Sequence, residues 1–266
     1  MILWLLMVFA GCRGDTAAGQ AALDAHDLAG AETAFRRSLS RDPDDVQALT
    51  GLGWTYLIAN QLGAASGTFS RCALVAPREA ECLRGLASVS LAEGNLPKAR
   101  ILLQQAQQLA PEDPKVLSSV ALVELSSGEI TAAENRYRQL VRRHPEQAEY
   151  RLSLARLLLR TGGYEEVLSL TESALKLPDT PVRYQSMLWV VRAQALLAGS
   201  VDREDPERCA ETVPPVLAWL TAAEDSLVKA EATGVTPPDL VKVRRQVLRR
   251  QAALQDVCPA MAIAPD

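Results

Sequence analysis

Residues 42–77, DPDDVQALTGLGWTYLIANQLGAASGTFSRCALVAP, hold one full period of a pattern that runs through most of the chain. Pro43, Pro77, Pro111 and Pro145 are spaced 34 residues apart. Ala31, Ala65, Ala99 and Ala133 keep the same spacing, as do Phe35, Phe69, Leu103 and Tyr137. A small-residue column runs through Gly19, Gly53, Ala87, Ala121 and Ala155, and a turn column through Asn60, Gly94, Gly128 and Gly162. Each column has a physical reading. Small residues allow two helices to approach closely, so Gly53 and Ala65 are expected to face each other. The aromatic column fills the space between a helix pair and its neighbour. Glycine or asparagine supplies a left-handed residue that ends the first helix. Proline lacks an N–H and clashes with the preceding turn, so it stops the second helix.

A 34-residue period with small, aromatic and proline columns resembles the tetratricopeptide (TPR) repeat. The resemblance implies an all-α, right-handed superhelical solenoid over residues 12–199, in which no single unit buries its own apolar face and neighbours must stack. The units are 12–45, 46–79, 80–113, 114–147 and 148–181, with a partial sixth from 182. The first helix of the sixth is expected from Val182 to Ala198, ended by Gly199. Residues 200–213 then form a charged insertion. Residues 214–258 supply two capping helices, opened by Pro214-Pro215 and by Thr236-Pro237-Pro238. The tail, 259–266, has no periodicity.

The composition agrees with an all-helical reading: 48% of residues are hydrophobic, 23% charged and only 5% aromatic. The net charge of −4 gives no electrostatic case for nucleic acid. Two histidines, His26 and His144, fall at turns, and there is no Gly-x-Ser-x-Gly, HExxH or phosphate-cradling glycine loop. No enzyme, metal or cofactor is expected.

Residues 1–11, MILWLLMVFAG, are continuously apolar, too short to span a bilayer as a helix, and fit the core of an export signal. Phe9-Ala10-Gly11-Cys12 resembles the lipobox of bacterial lipoproteins. That resemblance implies lipid on Cys12, an anchor in the outer membrane facing the periplasm, and Arg13 in place of the aspartate that retains such proteins at the inner membrane. The alternative is an uncleaved, partly buried N-terminal segment and a cytoplasmic TPR adaptor.

In TPR domains the first helices line the inner face of the stack. Counting within the units places Trp54, Leu57, Ile58, Arg84, Leu91, Leu122, Leu125, Leu152, Arg156, Leu159, Arg160 and Trp189 on it. An apolar groove with a few arginines suits an amphipathic helix or extended segment of another protein, with acidic groups meeting the arginines. The alternative is that the chain's own last helix fills the groove. The Lys and Asn cluster with which many TPR domains hold a terminal carboxylate is largely absent, so that activity is not carried over. The last helix carries Lys242, Arg244, Arg245, Arg249 and Arg250 beside an apolar stripe of Leu240, Val243, Val247, Leu248 and Leu254. Its readings are docking on an anionic membrane or acidic partner, or a solvated helix face.

Apart from Cys12, four cysteines remain, an even number that permits two disulfides in an exported chain. Cys72 and Cys82 flank the Pro77 turn, and Cys209 and Cys258 would tie the insertion to the last helix. Cys72 reads equally as a small buried hydrophobe.

A lipobox with about six TPR units resembles the type IV pilus biogenesis lipoproteins, pilotins that help a secretin ring assemble. It implies an envelope partner, a secretin in the sharpest form. Other exported TPR lipoproteins share these features, so a structural brace and an accessory activator of an envelope synthase stand beside it.

Overall fold

The computed structural model describes residues 14–202 and 209–257, and every regular element among them is helical. Residues 14–24 form α1. There follow α2 (Leu28–Arg41), α3 (Val46–Ile58), α4 (Leu62–Val75), α5 (Ala80–Ala92), α6 (Leu96–Leu109), α7 (Pro114–Ser126) and α8 (Ile130–Arg143). Then come α9 (Ala148–Thr161), α10 (Tyr164–Leu175), α11 (Val182–Asp202), α12 (Cys209–Ala232) and α13 (Leu240–Val257). The repeat period is kept to the residue. First helices start at Val46, Ala80, Pro114, Ala148 and Val182, and second helices at Leu28, Leu62, Leu96, Ile130 and Tyr164.

Local chemistry sets these boundaries. Each of Pro43, Pro77, Pro111 and Pro145 stands two residues beyond the end of a second helix. The Asp45 carboxylate accepts from the N–H groups of Gln47 and Ala48 at the start of α3, and Asp113 does the same for Lys115 and Val116 at α7. Each such cap contributes about 1 kcal/mol. Between the helices of a pair, Asn60, Gly94, Gly128 and Gly162 have φ of 58, 76, 83 and 86°. His26, with φ 63°, holds the same position in the first pair, which explains why a histidine stands there: the residue is a turn former.

The described residues fall into two compact units divided between Leu140 and Val141. A chain whose repeats touch only their neighbours has no single centre. In the first unit the core is organised around two phenylalanine rings, both buried. A Cβ added at Gly19 or Gly51 would lie 2.7 or 2.3 Å from the Phe35 ring. One period on, a Cβ at Gly53 or Gly85 would lie 2.6 or 2.3 Å from the Phe69 ring. Gly53 therefore makes room for Phe69, and Gly85 of the next first helix closes on the same ring. One period further the smaller Leu103 takes the ring's place, and the equivalent flanking residues, Ala87 and Ser119, carry a Cβ. One period further still, the buried Tyr137 ring stands with Ala121 and Ser153 at these positions, so the ring-and-glycine pairing belongs to the first two rings.

In the second unit α11, α12 and α13 share one core, which includes Val190, Leu196, Val216, Leu220, Leu227, Val243 and Val247. Two boundaries differ from the sequence reading. The helix passes through Gly199 to Asp202, because this glycine admits the Trp219 ring: a Cβ there would meet Cζ3 at 2.4 Å. Helix α12 already includes Cys209, so Pro214 and Pro215 lie inside it and do not open it. A proline inside a helix costs about 3 kcal/mol. Burial of Val213 and Val216 on either side of the pair offsets that cost. Residues 1–11, Cys12, residues 203–208, Cys258 and the tail 259–266 lie outside the described residues, as does the side chain of Cys209.

The ring-and-glycine pairing makes a direct prediction. By helix propensity alone Gly85→Ala would stabilise α5 by about 1 kcal/mol. Overpacking against Phe69 reverses the sign, with a net loss of about 1–3 kcal/mol in urea unfolding followed by helical ellipticity. Adding Phe69→Leu, which installs the Leu103 arrangement, relieves the clash. The two substitutions are expected to be non-additive by more than about 1 kcal/mol.

Candidate functional site

The surface from which a TPR protein holds a partner is built by first helices. In the first unit α3 packs beside α5, and α5 beside α7. Trp54 on α3 is half-buried and packs edge-on against Phe69, with ring centroids 5.2 Å apart. Its indole N–H donates to Glu81 Oε1 on α5 at 2.8 Å. The Arg84 guanidinium lies over the Trp54 ring, 4.2 Å from its centroid, and its Nε donates to Glu81 Oε2 at 2.7 Å. Arg84 is therefore already matched by Glu81 and stacked on Trp54. The expectation that it meets an acidic group of a ligand is corrected accordingly. Burial alone would push the Glu81 carboxyl up. The hydrogen bond and charge of Arg84, the Trp54 N–H and the charge of Lys115 outweigh burial and hold it below the ordinary carboxylate range.

Beyond this cluster the C-terminal halves of the first helices present mainly apolar side chains, with Ser88 and Ser126 among them, and Lys115 is exposed at the start of α7. Ile58 is 42% and Leu122 44% exposed, and Leu57, Leu91 and Leu125 are half-buried at equivalent positions of α3, α5 and α7. The acid on the inner side of α7, Glu124, is buried and takes a bidentate pair from Arg136 at 3.1 and 2.7 Å. The exposed part of α7 that follows Leu122 is thus left without a charge.

The second unit places its predicted site residues differently. Leu152 is buried and belongs to the core, not to a groove. Leu159 is half-buried, and Arg156 and Arg160 are exposed, with Arg156 already engaged in an interaction. Trp189 borders a cavity of about 410 Å³ between α10, α11 and α12, with Lys229 Nζ 5.0 Å above its ring. Two ion pairs stand on the cavity walls, Lys176–Glu172 at 2.7 Å and Lys229–Asp225 at 2.6 Å, together with Arg192, which donates to the Leu168 carbonyl at 3.0 Å. Trp189 faces this cavity and α12, because α12 replaces the short second helix expected of a sixth repeat.

Cys72 and Cys82 are fully buried and joined by a disulfide, with Cα atoms 5.6 Å apart. The bond links α4 to α5 across the boundary between consecutive repeats. Among the described residues no group of three or more His, Cys, Asp or Glu side chains could hold a metal ion, and no helix is long and apolar enough to cross a membrane.

Helix pairs of constant period with an apolar first-helix surface define a TPR protein-interaction scaffold. The tetratricopeptide repeat family model matches residues 16–72, 59–114 and 121–168, more than half of the chain, and the chain belongs to this family. Among solved structures it is similar to TTC0263, a thermophilic TPR protein of Thermus thermophilus, at 25% identity and a TM-score of 0.58, over 66% of this chain and 98% of that one. PilF of Pseudomonas aeruginosa matches over 92% of this chain and 99% of its own, at 17% identity and a TM-score of 0.54. A match to the Cut9–Hcn1 structure of the APC/C covers 89% of this chain and 43% of that one, at 16% identity and a TM-score of 0.61. No curated protein sequence matches the chain.

Glu81 has a depressed folded-state pKa, so its contribution to stability is complete above the unfolded carboxylate value of about 4.3. That contribution is lost as pH falls through the folded value. Below about pH 4 the wild type is expected to lose stability more steeply than Glu81→Gln, and near neutral pH Glu81→Gln is expected to be the less stable of the two. Thermal melts across this range check both signs.

Proposed function

We propose that this protein is a lipid-anchored adaptor on the periplasmic face of the outer membrane. It performs no chemistry of its own and holds an apolar segment of an envelope component on the α3–α5–α7 surface. The observation that carries the reading is the exposure of Ile58 and Leu122 on helices whose partly or fully buried charges, Glu81, Arg84 and Glu124, are already neutralised by one another or by Arg136, with Lys115 exposed only in the first turn of α7. Such a surface favours an apolar ligand and offers little to an acidic one. Its ligand is an amphipathic helix or extended strand that inserts apolar side chains beside Leu91, Leu122 and Leu125.

The location rests on Phe9-Ala10-Gly11-Cys12 and is supported by the Cys72–Cys82 disulfide, since such bonds persist in oxidising compartments. A secretin subunit is the partner implied by the resemblance to pilus biogenesis lipoproteins. The PilF structure adds support at the level of repeat architecture alone.

Two measurements test the proposal. The mass of the N-terminal peptide from membrane-isolated protein is expected to correspond to a chain beginning at lipid-modified Cys12. An intact Met1 peptide would remove the envelope location and leave an adaptor inside the cell. For the surface, Leu122→Asp is expected to lower partner capture from native membranes by about ten-fold or more, the loss typical of a central contact. Undiminished capture with a normal helical spectrum would refute the surface.

A further inference from the structure

The last helix has two faces, and only one of them is used by the fold. Leu240, Val243, Val247 and Leu254 of α13 are buried in the core that it shares with α11 and α12. Arg244, half-buried, turns back to pair with Glu231 of α12. The opposite face is exposed. At 100° per residue, Val241, Leu248 and Ala252 fall in one narrow stripe, and Arg245, Arg249 and Lys242 fall in a second stripe directly beside it. Val241 is 59% and Leu248 47% exposed, although Leu248 reads in sequence as part of the core-facing stripe. Lys242, Arg245 and Arg249 have neither a hydrogen bond nor an ion pair among the described residues, in a protein whose net charge is −4.

We infer that this face is a docking strip for an acidic amphipathic helix of another protein. The spacing favours a helix as the occupant. Val241 and Leu248 are seven residues apart, and so are Lys242 and Arg249, which is the repeat with which two helices keep one seam in register. The cations flank the apolar stripe on one side. On the other side lies the satisfied Arg244–Glu231 pair. A partner helix with Leu or Ile along its seam and Glu or Asp along one edge would match both stripes in one orientation only. A membrane surface fits less well. The wide apolar face that would insert between lipids is already occupied by the core, and the exposed stripe has no aromatic residue.

The test uses the whole protein and a fluorescent synthetic peptide of three heptads, with Leu at positions a and d and Glu at e and g. A twin peptide carries Lys at e and g. The acidic peptide is expected to bind at least ten-fold more tightly than its twin, and more weakly as salt is raised, as charge complementarity requires. The double substitution Arg245→Glu with Arg249→Glu is expected to lower that affinity at least ten-fold, and Leu248→Ser several-fold, both with unchanged helical ellipticity. Leu122→Asp is expected to leave it unchanged, which separates this strip from the α3–α5–α7 surface. Equal binding of the two peptides, no binding of either, or indifference to the charge reversal would overturn the inference. So would capture by phosphatidylglycerol vesicles without peptide binding, which would make the strip a membrane contact.

Discussion

A phenylalanine ring held between two glycines is the contact on which the first unit depends. Phe69 meets the bare backbone of Gly53 in its own repeat and of Gly85 in the next, and Phe35 meets Gly19 and Gly51 in the same way. The arrangement couples a property of one helix, its lack of a side chain, to the position of another helix in a different repeat. Where the ring becomes Leu103, the flanking residues become Ala87 and Ser119, and the helices keep their 34-residue spacing. Each isolated glycine weakens its own helix, and only the ring it accommodates compensates for that loss.

Charge is handled by a related rule. Glu81 and Glu124, the acids nearest the interior of first helices α5 and α7, are each answered by an arginine with two hydrogen bonds: Arg84 from the same helix and Arg136 from the following one. A buried carboxylate left without its partner would cost several kcal/mol. With both acids satisfied internally, the surface between them has little left for a ligand except apolar area. The chemistry of the core thereby narrows the chemistry of recognition.

Much of the fold was legible before any coordinates, because columns at a constant period report contacts that are repeated. The prolines, the left-handed turn residues and the small positions each recur, so each carries its own confirmation. What occurs once was less legible. Arg84 looks free in the sequence because nothing in a period announces that Glu81, three residues earlier, and Trp54, in the preceding repeat, converge on it. Gly199 looks like a helix end because its partner, Trp219, stands beyond the insertion. Pro214 and Pro215 look like a start because local chemistry favours that reading, and only burial of the neighbouring valines overrides it. Counting within repeats puts Leu152 and Trp189 in a groove, but Leu152 is buried on α9, which packs against α10 and α11, and at Trp189 the count fails because α12 takes over from a regular second helix. Ile58, Leu91, Leu122 and Leu125 sit in repeats that keep the pattern, and there Ile58 and Leu122 are exposed and Leu91 and Leu125 half-buried.

The disulfide has a consequence for how such a chain changes over generations. Repeat proteins grow and shrink by whole cassettes, because most seams between units are held by packing that any similar unit can supply. The Cys72–Cys82 bond crosses one of those seams, with one sulfur in the second repeat and the other in the third. Excising either 34-residue cassette would leave one thiol without its partner in a buried site, and inserting one at the seam would separate the two sulfurs. The bond therefore ties the second and third repeats together, and a change of array length at that seam would forfeit it.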